Sequence, residues 1–120
     1  MEFSSTETAT LGHLLFGELL QPPPSESEWR TLLEGIAARN PAALYALSAR
    51  IHGIVFTFML KMSGQWAIAE RLALGTFYDV WRRAAKYEPD ATSAIGWILN
   101  EARSRAAARA RVQARAKKRR

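Results

Sequence analysis

Apolar residues recur every three or four positions along most of this 120-residue chain, which is the spacing of one face of an α-helix. The clearest case begins at Pro41, where the recurring positions predict one buried stripe: Leu44, Leu47, Ile51, Ile54 and Phe58. The sequence has no sustained period-two alternation and no Asn-Gly or Asp-Gly hairpin turn, which are the usual marks of β-strands. The pattern therefore predicts an all-α protein, built as a compact helical bundle.

Prolines and capping residues predict where the first two helices lie. A first helix over about residues 8–20 ends at the QPPPSES segment, because consecutive prolines remove backbone donors and disfavour helical geometry before them. A second helix is capped by Ser25 or Ser27 and extends to about Asn40. It is expected to bury three apolar side chains, Trp29, Leu33 and Ile36.

Three more helices follow. Pro41 suits the first turn of the third, and Gly64 suits its left-handed end. The fourth begins at Trp66, and one face is predicted to hold Trp66, Ala69, Ala73, Phe77, Val80, Trp81 and Ala84. Asp90, Thr92 or Ser93 caps the fifth helix, which beyond Ala106 has almost nothing to bury. We expect Phe58, Phe77, Trp81 and Trp97 to be buried together in the core.

The predicted elements divide the chain into one domain with two extensions, because 120 residues leave no room for a second core. Residues 1–24 form an added N-terminal helix and a proline-rich linker. Residues 25–106 form the helical domain. Residues 107–120 are a basic tail or linker, expected as a helical extension.

The net charge of +6 is unevenly distributed. Residues 102–120 hold nine basic groups and no acid, whereas the first 101 residues hold eight basic and eleven acidic residues, a balance of −3. A mildly acidic body with a basic end is typical of a polyanion-binding element. The alternative is that the Ala/Arg-rich end is only a solvated helix or linker.

Motifs for catalysis and for metal or cofactor binding are missing from the sequence. It has no cysteine, no glycine-rich phosphate loop, and two separated histidines, His13 and His52. His52 is expected to be a core or boundary residue. The apolar run at residues 54–60 is too short to span a bilayer by itself, and the acidic start lacks a secretory signal. We therefore expect a cytoplasmic protein, not an enzyme, with no cofactor and no membrane contact.

Residues 29–120 resemble region 2 of the bacterial extracytoplasmic-function (ECF) sigma factors. The resemblance is carried by ALYAL at 43–47, AER at 69–71, TFYDVWRRAAKYEP at 76–89, GWILNEARSR at 96–105, and the basic end. It implies a sigma region 2-like fold and a role in transcription initiation. The implied partners are the β′ clamp helices of RNA polymerase core and the single-stranded promoter −10 element.

The resemblance also implies which positions make these contacts. The polymerase-docking positions are Glu70, Arg71, Leu74, Gly75, Asp79 and Arg82. The DNA-binding positions are Tyr87, Trp97, Asn100, Arg103, Ser104, Arg105, Arg109 and Arg111. Basic side chains track phosphates, and aromatic side chains stack on unpaired bases.

The docking motif departs from the family. The family's Asp, Gln and Glu correspond to Arg71, Leu74 and Gly75 here. In the last helix the family's Asn and Asp correspond to Ser104 and Ala108. Restoring the three docking residues is expected to tighten clamp-helix binding and to raise helix propensity.

Two functions remain open at this point. The first is a sigma-like transcription initiation protein that binds polymerase and promoter DNA, with an anti-sigma factor as a candidate further partner. The second is a sigma-fold protein-interaction module that binds a regulator or subunit and reads no promoter. An exposed Leu74 favours the second reading, and the basic end favours the first.

Overall fold

A computed structural model describes residues 24–118, and the predicted helix over residues 8–20 lies outside that range. The described part contains four α-helices and a short 3₁₀ turn. They are α1 (Glu26–Ala37), α2 (Pro41–Ser63), α3 (Trp66–Arg83), the 3₁₀ turn (Ala84–Lys86) and α4 (Ala94–Lys118). No strand occurs within these residues, so the prediction of an all-α bundle is confirmed.

The helix starts and ends follow local capping chemistry. The Ser25 hydroxyl accepts a hydrogen bond from the backbone N–H of Glu28, so of the two candidates Ser25 is the cap of α1. The helix ends at Ala37, earlier than predicted, because the Asn40 side chain caps α2 instead. Gly64 ends α2 with a φ of 71°, the left-handed conformation that glycine adopts without strain.

The α1–α2 turn contains a residue other than glycine in the left-handed region. Arg39 has a φ of 66°, which is uncommon for a side-chain-bearing residue. Its guanidinium donates a hydrogen bond of 2.7 Å to the backbone carbonyl of Trp81 and lies 5.2 Å from the centroid of that indole ring. These contacts hold the turn against the end of α3.

The core lies where α1, α3 and α4 pack around α2. The fully buried stripe of α2 repeats every fourth residue and consists of Leu47, Ile51, Val55 and Met59. Facing it are the buried side chains Trp29, Leu33 and Ile36 from α1, Ala69, Ala73, Phe77 and Val80 from α3, and Ala94, Ile98, Ala102 and Ala106 from α4. The prediction for α1 is therefore confirmed, as is Ala106 as the last buried position of α4.

Five predictions of buried side chains are wrong. Ile54 is exposed, because the next residue, Val55, faces the core in its place. Trp66 is also exposed: it is the first residue of α3, and its indole only contacts the ring of Phe56 on α2. Phe77 is buried, but the expected partners Phe58, Trp81 and Trp97 are only half-buried at the edge of the core.

Helix α2 is long and apolar enough, by length and composition, to cross a membrane. The core helix of a soluble protein meets the same test, and α2 packs against all three other described helices. The property is therefore weak evidence for a membrane span. The apolar run at residues 54–60 lies inside this helix.

Two side chains cap the N-terminus of α4. The Ser93 hydroxyl accepts from the N–H of Gly96, so Ser93 is the capping residue among the three candidates. The carboxylate of Glu26, from α1, accepts from the N–H of Ala94. A carboxylate at a helix N-terminus is favoured by the helix dipole, so this contact ties the start of α4 to α1.

Candidate docking and nucleic-acid interface

The outer face of α3 is aromatic and apolar. Trp66, Leu74 and Tyr78 are 64%, 68% and 60% exposed, and their spacing of eight and four residues places them along one side of the helix. Between them, Glu70 accepts a hydrogen bond of 3.2 Å from the indole N–H of Trp66. We call Trp66, Leu74 and Tyr78 the α3 stripe. It is an exposed surface of the kind that contacts a partner.

Gly75 lies where the side chain of Arg105, from α4, packs against α3. A Cβ atom at this position would lie 2.5 Å from Nη1 of Arg105 and 2.7 Å from its Cδ. Glycine therefore leaves the space that the Arg105 side chain occupies. Restoring the family's Glu at Gly75 would have to move Arg105, so the expectation that this change simply raises helix propensity is incomplete.

Arg105 uses that space to reach Asp79. Its Nε and Nη2 atoms donate hydrogen bonds of 2.7 and 2.9 Å to the two carboxylate oxygens of Asp79. The Asp79 side chain is only 12% exposed, and Nη2 of Arg82 lies 3.5 Å from its Oδ1. We call this two-point contact the Asp79–Arg105 pair.

The pair changes the acidity of both groups. The hydrogen bonds from Arg105 lower the pKa of Asp79 below its ordinary value of 3.8, although burial acts in the opposite direction. The same hydrogen bonds raise the pKa of Arg105. Asp79 and Arg105 therefore stay ionised at neutral pH and hold α3 and α4 together.

A groove of about 1080 Å³ lies between α3 and α4. We call it the α3–α4 groove. It brings together residues predicted for two different partners: Arg71, Asp79 and Arg82 from the docking set, with Asn100, Ser104, Arg105 and Arg109 from the DNA-binding set. Glu70, Leu74 and Gly75 are not among its lining residues, and neither are Arg103 and Arg111.

The remaining DNA-binding candidates fall into two groups. Tyr87 and Trp97 are half-buried, with ring centroids 6.0 Å apart, and the Tyr87 hydroxyl donates to the carbonyl of Thr92. These contacts brace the loop that precedes α4. Arg103 and Arg111 are exposed on α4, which continues without a break to Lys118.

Four residues of this surface were missed by sequence reasoning. Trp66 and Tyr78 could have been found, because they share a helical face with Leu74. The ion pair between Arg83 and Glu101, with Nε and Oε1 3.2 Å apart, joins positions with no periodic relation in the sequence. No group of three or more metal-ligating side chains occurs within residues 24–118.

Curated relatives match most of the chain. The ECF RNA polymerase sigma factor SigK of Mycolicibacterium vanbaalenii is 32% identical over 102 residues, covering 82% of this chain and 50% of that protein. SigK of Mycobacterium sp. strain KMS is 31% identical over 80 residues, covering 67% of this chain and 42% of that protein. SigK of Mycobacterium tuberculosis is 25% identical over 92 residues, covering 77% and 49%.

No protein-family model matches the chain, and no solved structure matches it significantly. The chain spans about half the length of the curated relatives it matches. Their names agree with the resemblance drawn from the AER, VWRR and EARSR segments. By this similarity, the chain is a distant relative of the ECF RNA polymerase sigma factors.

Proposed function

We propose that this chain is a sigma-like transcription initiation protein, whose helical domain binds RNA polymerase core and the promoter −10 element. The observation that carries the proposal is the pairing of a braced aromatic loop, around Tyr87 and Trp97, with the long basic helix that follows it. Aromatic rings suit unpaired bases and basic side chains suit phosphates. Such a protein acts in the cytoplasm and is not an enzyme.

On the DNA side, we propose that the exposed groups of α4 make the phosphate contacts. Arg103 and Arg111 are exposed, and no ion pair within residues 24–118 involves them. Arg105 is less suited to this role, because Asp79 already engages its guanidinium. Asn100 and Ser104 are exposed on the same helix and can donate hydrogen bonds to the strand.

The DNA contact predicts a change in salt dependence. Truncation after Ala106 removes seven basic groups, so affinity for a single-stranded −10 oligonucleotide should fall. The slope of log affinity against log salt should become shallower by about 0.7 for each lost phosphate contact. A finer comparison is Arg111→Gln on α4 against Lys61→Gln at the end of α2. Only the first should change the slope; equal effects would contradict a site on α4.

On the polymerase side, we propose that the docking surface is the face of α3 that carries Glu70, Arg71 and Leu74. This face keeps the family's Glu but replaces two polar docking residues. A weakened version of the family contact is therefore expected. Its occupant would be the β′ clamp helices.

The polymerase contact is tested by partial restoration of the family residues. Arg71→Asp with Leu74→Gln, leaving Gly75 unchanged, should tighten binding to isolated β′ clamp helices by about fivefold, the effect of about 1 kcal/mol. Surface-immobilised clamp helices and biolayer interferometry give the measurement. Lys61→Asp is the charge-matched control away from α3. If neither the parent nor the restored variant binds the clamp helices or the core enzyme, polymerase docking is wrong.

A second candidate function is a sigma-fold interaction module that binds a regulator or subunit without reading a promoter. The α3 stripe favours it, because three large exposed side chains in line form an apolar anchor surface. Under this reading, Leu74→Gln alone weakens the native complex. Under the polymerase reading, the same change strengthens the contact with the clamp helices.

A further inference from the structure

A second groove, of about 540 Å³, lies between α1 and α2. We call it the α1–α2 groove. Most of its lining is apolar or uncharged: Pro24, Ser27, Thr31 and Leu32 on the α1 side, and Ala46 and Ala49 on the α2 side. Glu28 and Arg50 also line it. Because the alanines of α2 are small, another helix can approach the backbone of α2 closely there.

The groove continues along α2 as an exposed face. Helix α1 has 12 residues and α2 has 23, so α1 covers only part of the length of α2. The residues that extend the groove side of α2 at helical spacing, Gly53, Ile54 and Thr57, are exposed. We call these three residues, with Ala46 and Ala49, the α2 outer face. Only 28% of the most apolar 18-residue stretch of α2 is buried, so the described helices leave much of it uncovered.

The chain reaches this groove from its N-terminal side. Pro24, the first described residue, is itself part of the lining. The turn that follows is fixed, because Ser25 caps α1 and the Glu26 carboxylate accepts from the N–H of Ala94. The two residues before Pro24 are also prolines, and such a run favours a stiff, extended chain. Leu20 is four residues from Pro24 and therefore lies within about 14 Å of it.

The segment before the prolines is complementary to α2 in apolar pattern and in charge. The helix predicted over residues 8–20 carries Leu11, Leu15 and Leu19 on one face. Residues 1–23 hold three glutamates and neither lysine nor arginine, whereas α2 holds one arginine, one lysine and no acidic residue. Attraction between these charges favours contact of this segment with α2.

We propose that residues 8–20 of this chain pack as a helix in the α1–α2 groove and along the α2 outer face. A helix of 13 residues is about 20 Å long, and α2 extends about 17 Å from Ala46 to Thr57, so the two lengths match. The three leucines pack on the small side chains of α2. This inference goes beyond the proposed function, since it requires neither polymerase nor DNA.

The chain's own segment is favoured over a second copy of the chain and over a lipid surface. The short proline linkage keeps the segment beside the groove at a high effective concentration, which a separate molecule lacks. Insertion of α2 into a membrane would remove Leu47, Ile51, Val55 and Met59 from the core in which they are fully buried. That core contains side chains from all four described helices, so insertion would unfold the domain.

Thiol labelling of the full chain tests this packing, because the sequence contains no cysteine. Ala49→Cys places one thiol in the groove, and Ala110→Cys places a matched control thiol on the exposed surface of α4. A maleimide dye reacts with a covered thiol only when the covering segment opens. We expect the thiol at position 49 to react about tenfold more slowly than the thiol at position 110, as for a segment that is open in about a tenth of the molecules.

Substitutions in the segment show what covers the thiol. Leu15→Asp places a charge on the leucine face and should speed labelling at position 49 by about tenfold. Thr10→Asp is the matched control, because it adds the same charge away from the leucine face, and it should leave the slow rate unchanged. Neither change should alter labelling at position 110. Near-ultraviolet circular dichroism, which reports the packing of buried Trp29, confirms that each variant is folded.

Four results would overturn the proposal. Equally fast labelling at positions 49 and 110 in the parent background would show that the groove is open. An equal increase in Thr10→Asp would mean a non-specific effect of added charge. Slow labelling at position 49 that persists in Leu15→Asp but disappears on dilution would assign the groove to a second copy. Slow labelling that arises only with phosphatidylglycerol vesicles would assign the α2 outer face to a lipid surface.

Discussion

Phe77→Ala should lower the free energy of unfolding by about 3–5 kcal/mol, the usual cost of removing a buried phenyl ring from a packed core. Phe77 is 7% exposed, and its ring centroid is 6.2 Å from that of His52 on α2. The His52 ring in turn stacks on Phe56, which contacts Trp66 edge-on. Removing Phe77 therefore opens the α2–α3 contact at the inner end of an aromatic chain.

Urea denaturation followed by circular dichroism measures this effect. Leu74→Ala is the matched control, because Leu74 lies on the same helix, is 68% exposed, and should change stability by no more than about 0.5 kcal/mol. If Phe77→Ala unfolds at the same urea concentration as the parent, the packing of α3 on α2 described above is incorrect.

The second prediction is that Gly75→Ala destabilises the parent protein but stabilises the Arg105→Ala variant. In the parent, Gly75→Ala should destabilise the fold by about 1 kcal/mol. The helix gains about 1 kcal/mol in propensity, but the new Cβ displaces Arg105 from Asp79 and forfeits charge-assisted hydrogen bonds worth about 2 kcal/mol. In an Arg105→Ala background the displaced group is gone, so the same substitution should stabilise by about 1 kcal/mol. The coupling between the two positions is then about 2 kcal/mol.

Acid titration supplies an independent readout of the same pair. Arg105 lowers the pKa of Asp79 in the folded state. The stability that the ionised Asp79 contributes is therefore fully present above the pKa of the unfolded state. It is lost as the pH falls through the pKa of the folded state. Asp79→Asn should therefore cost most at neutral pH, and the difference from the parent should shrink only below about pH 3.8, the ordinary value for this carboxyl. A difference that is constant down to pH 2, or additive effects of Gly75→Ala and Arg105→Ala, would contradict the pair.

The helices were predictable because each depends on local chemistry. Ser25, Pro41, Gly64 and Ser93 act within a few residues of themselves, so their roles are visible in the sequence. The face that α2 buries was harder to predict. Residues 54–60 are almost all apolar, so hydrophobic spacing alone does not show which of Ile54 and Val55 is buried. That depends on which face of α2 the other helices pack against.

The site was less predictable because its contacts join distant positions. Asp79 and Arg105 are separated by 26 positions and were assigned to different partners. Gly75 was interpreted as a docking residue that had lost its side chain. In the structure, the absence of a side chain at Gly75 leaves room for the Arg105 side chain to lie against α3. The docking and DNA-binding roles themselves stay predictions until the binding measurements above are made.

The last turns of α4 have a further consequence, for the balance between helix and coil. Beyond Ala106 this helix buries almost nothing, so its order there depends on intrinsic propensity. Arg111 and Arg115 are four residues apart, and like charges at this spacing repel each other along a helix surface. Added salt screens that repulsion while it also weakens any contact with phosphates. A bound polyanion neutralises the same charges directly, so binding and local helix formation in this segment favour one another.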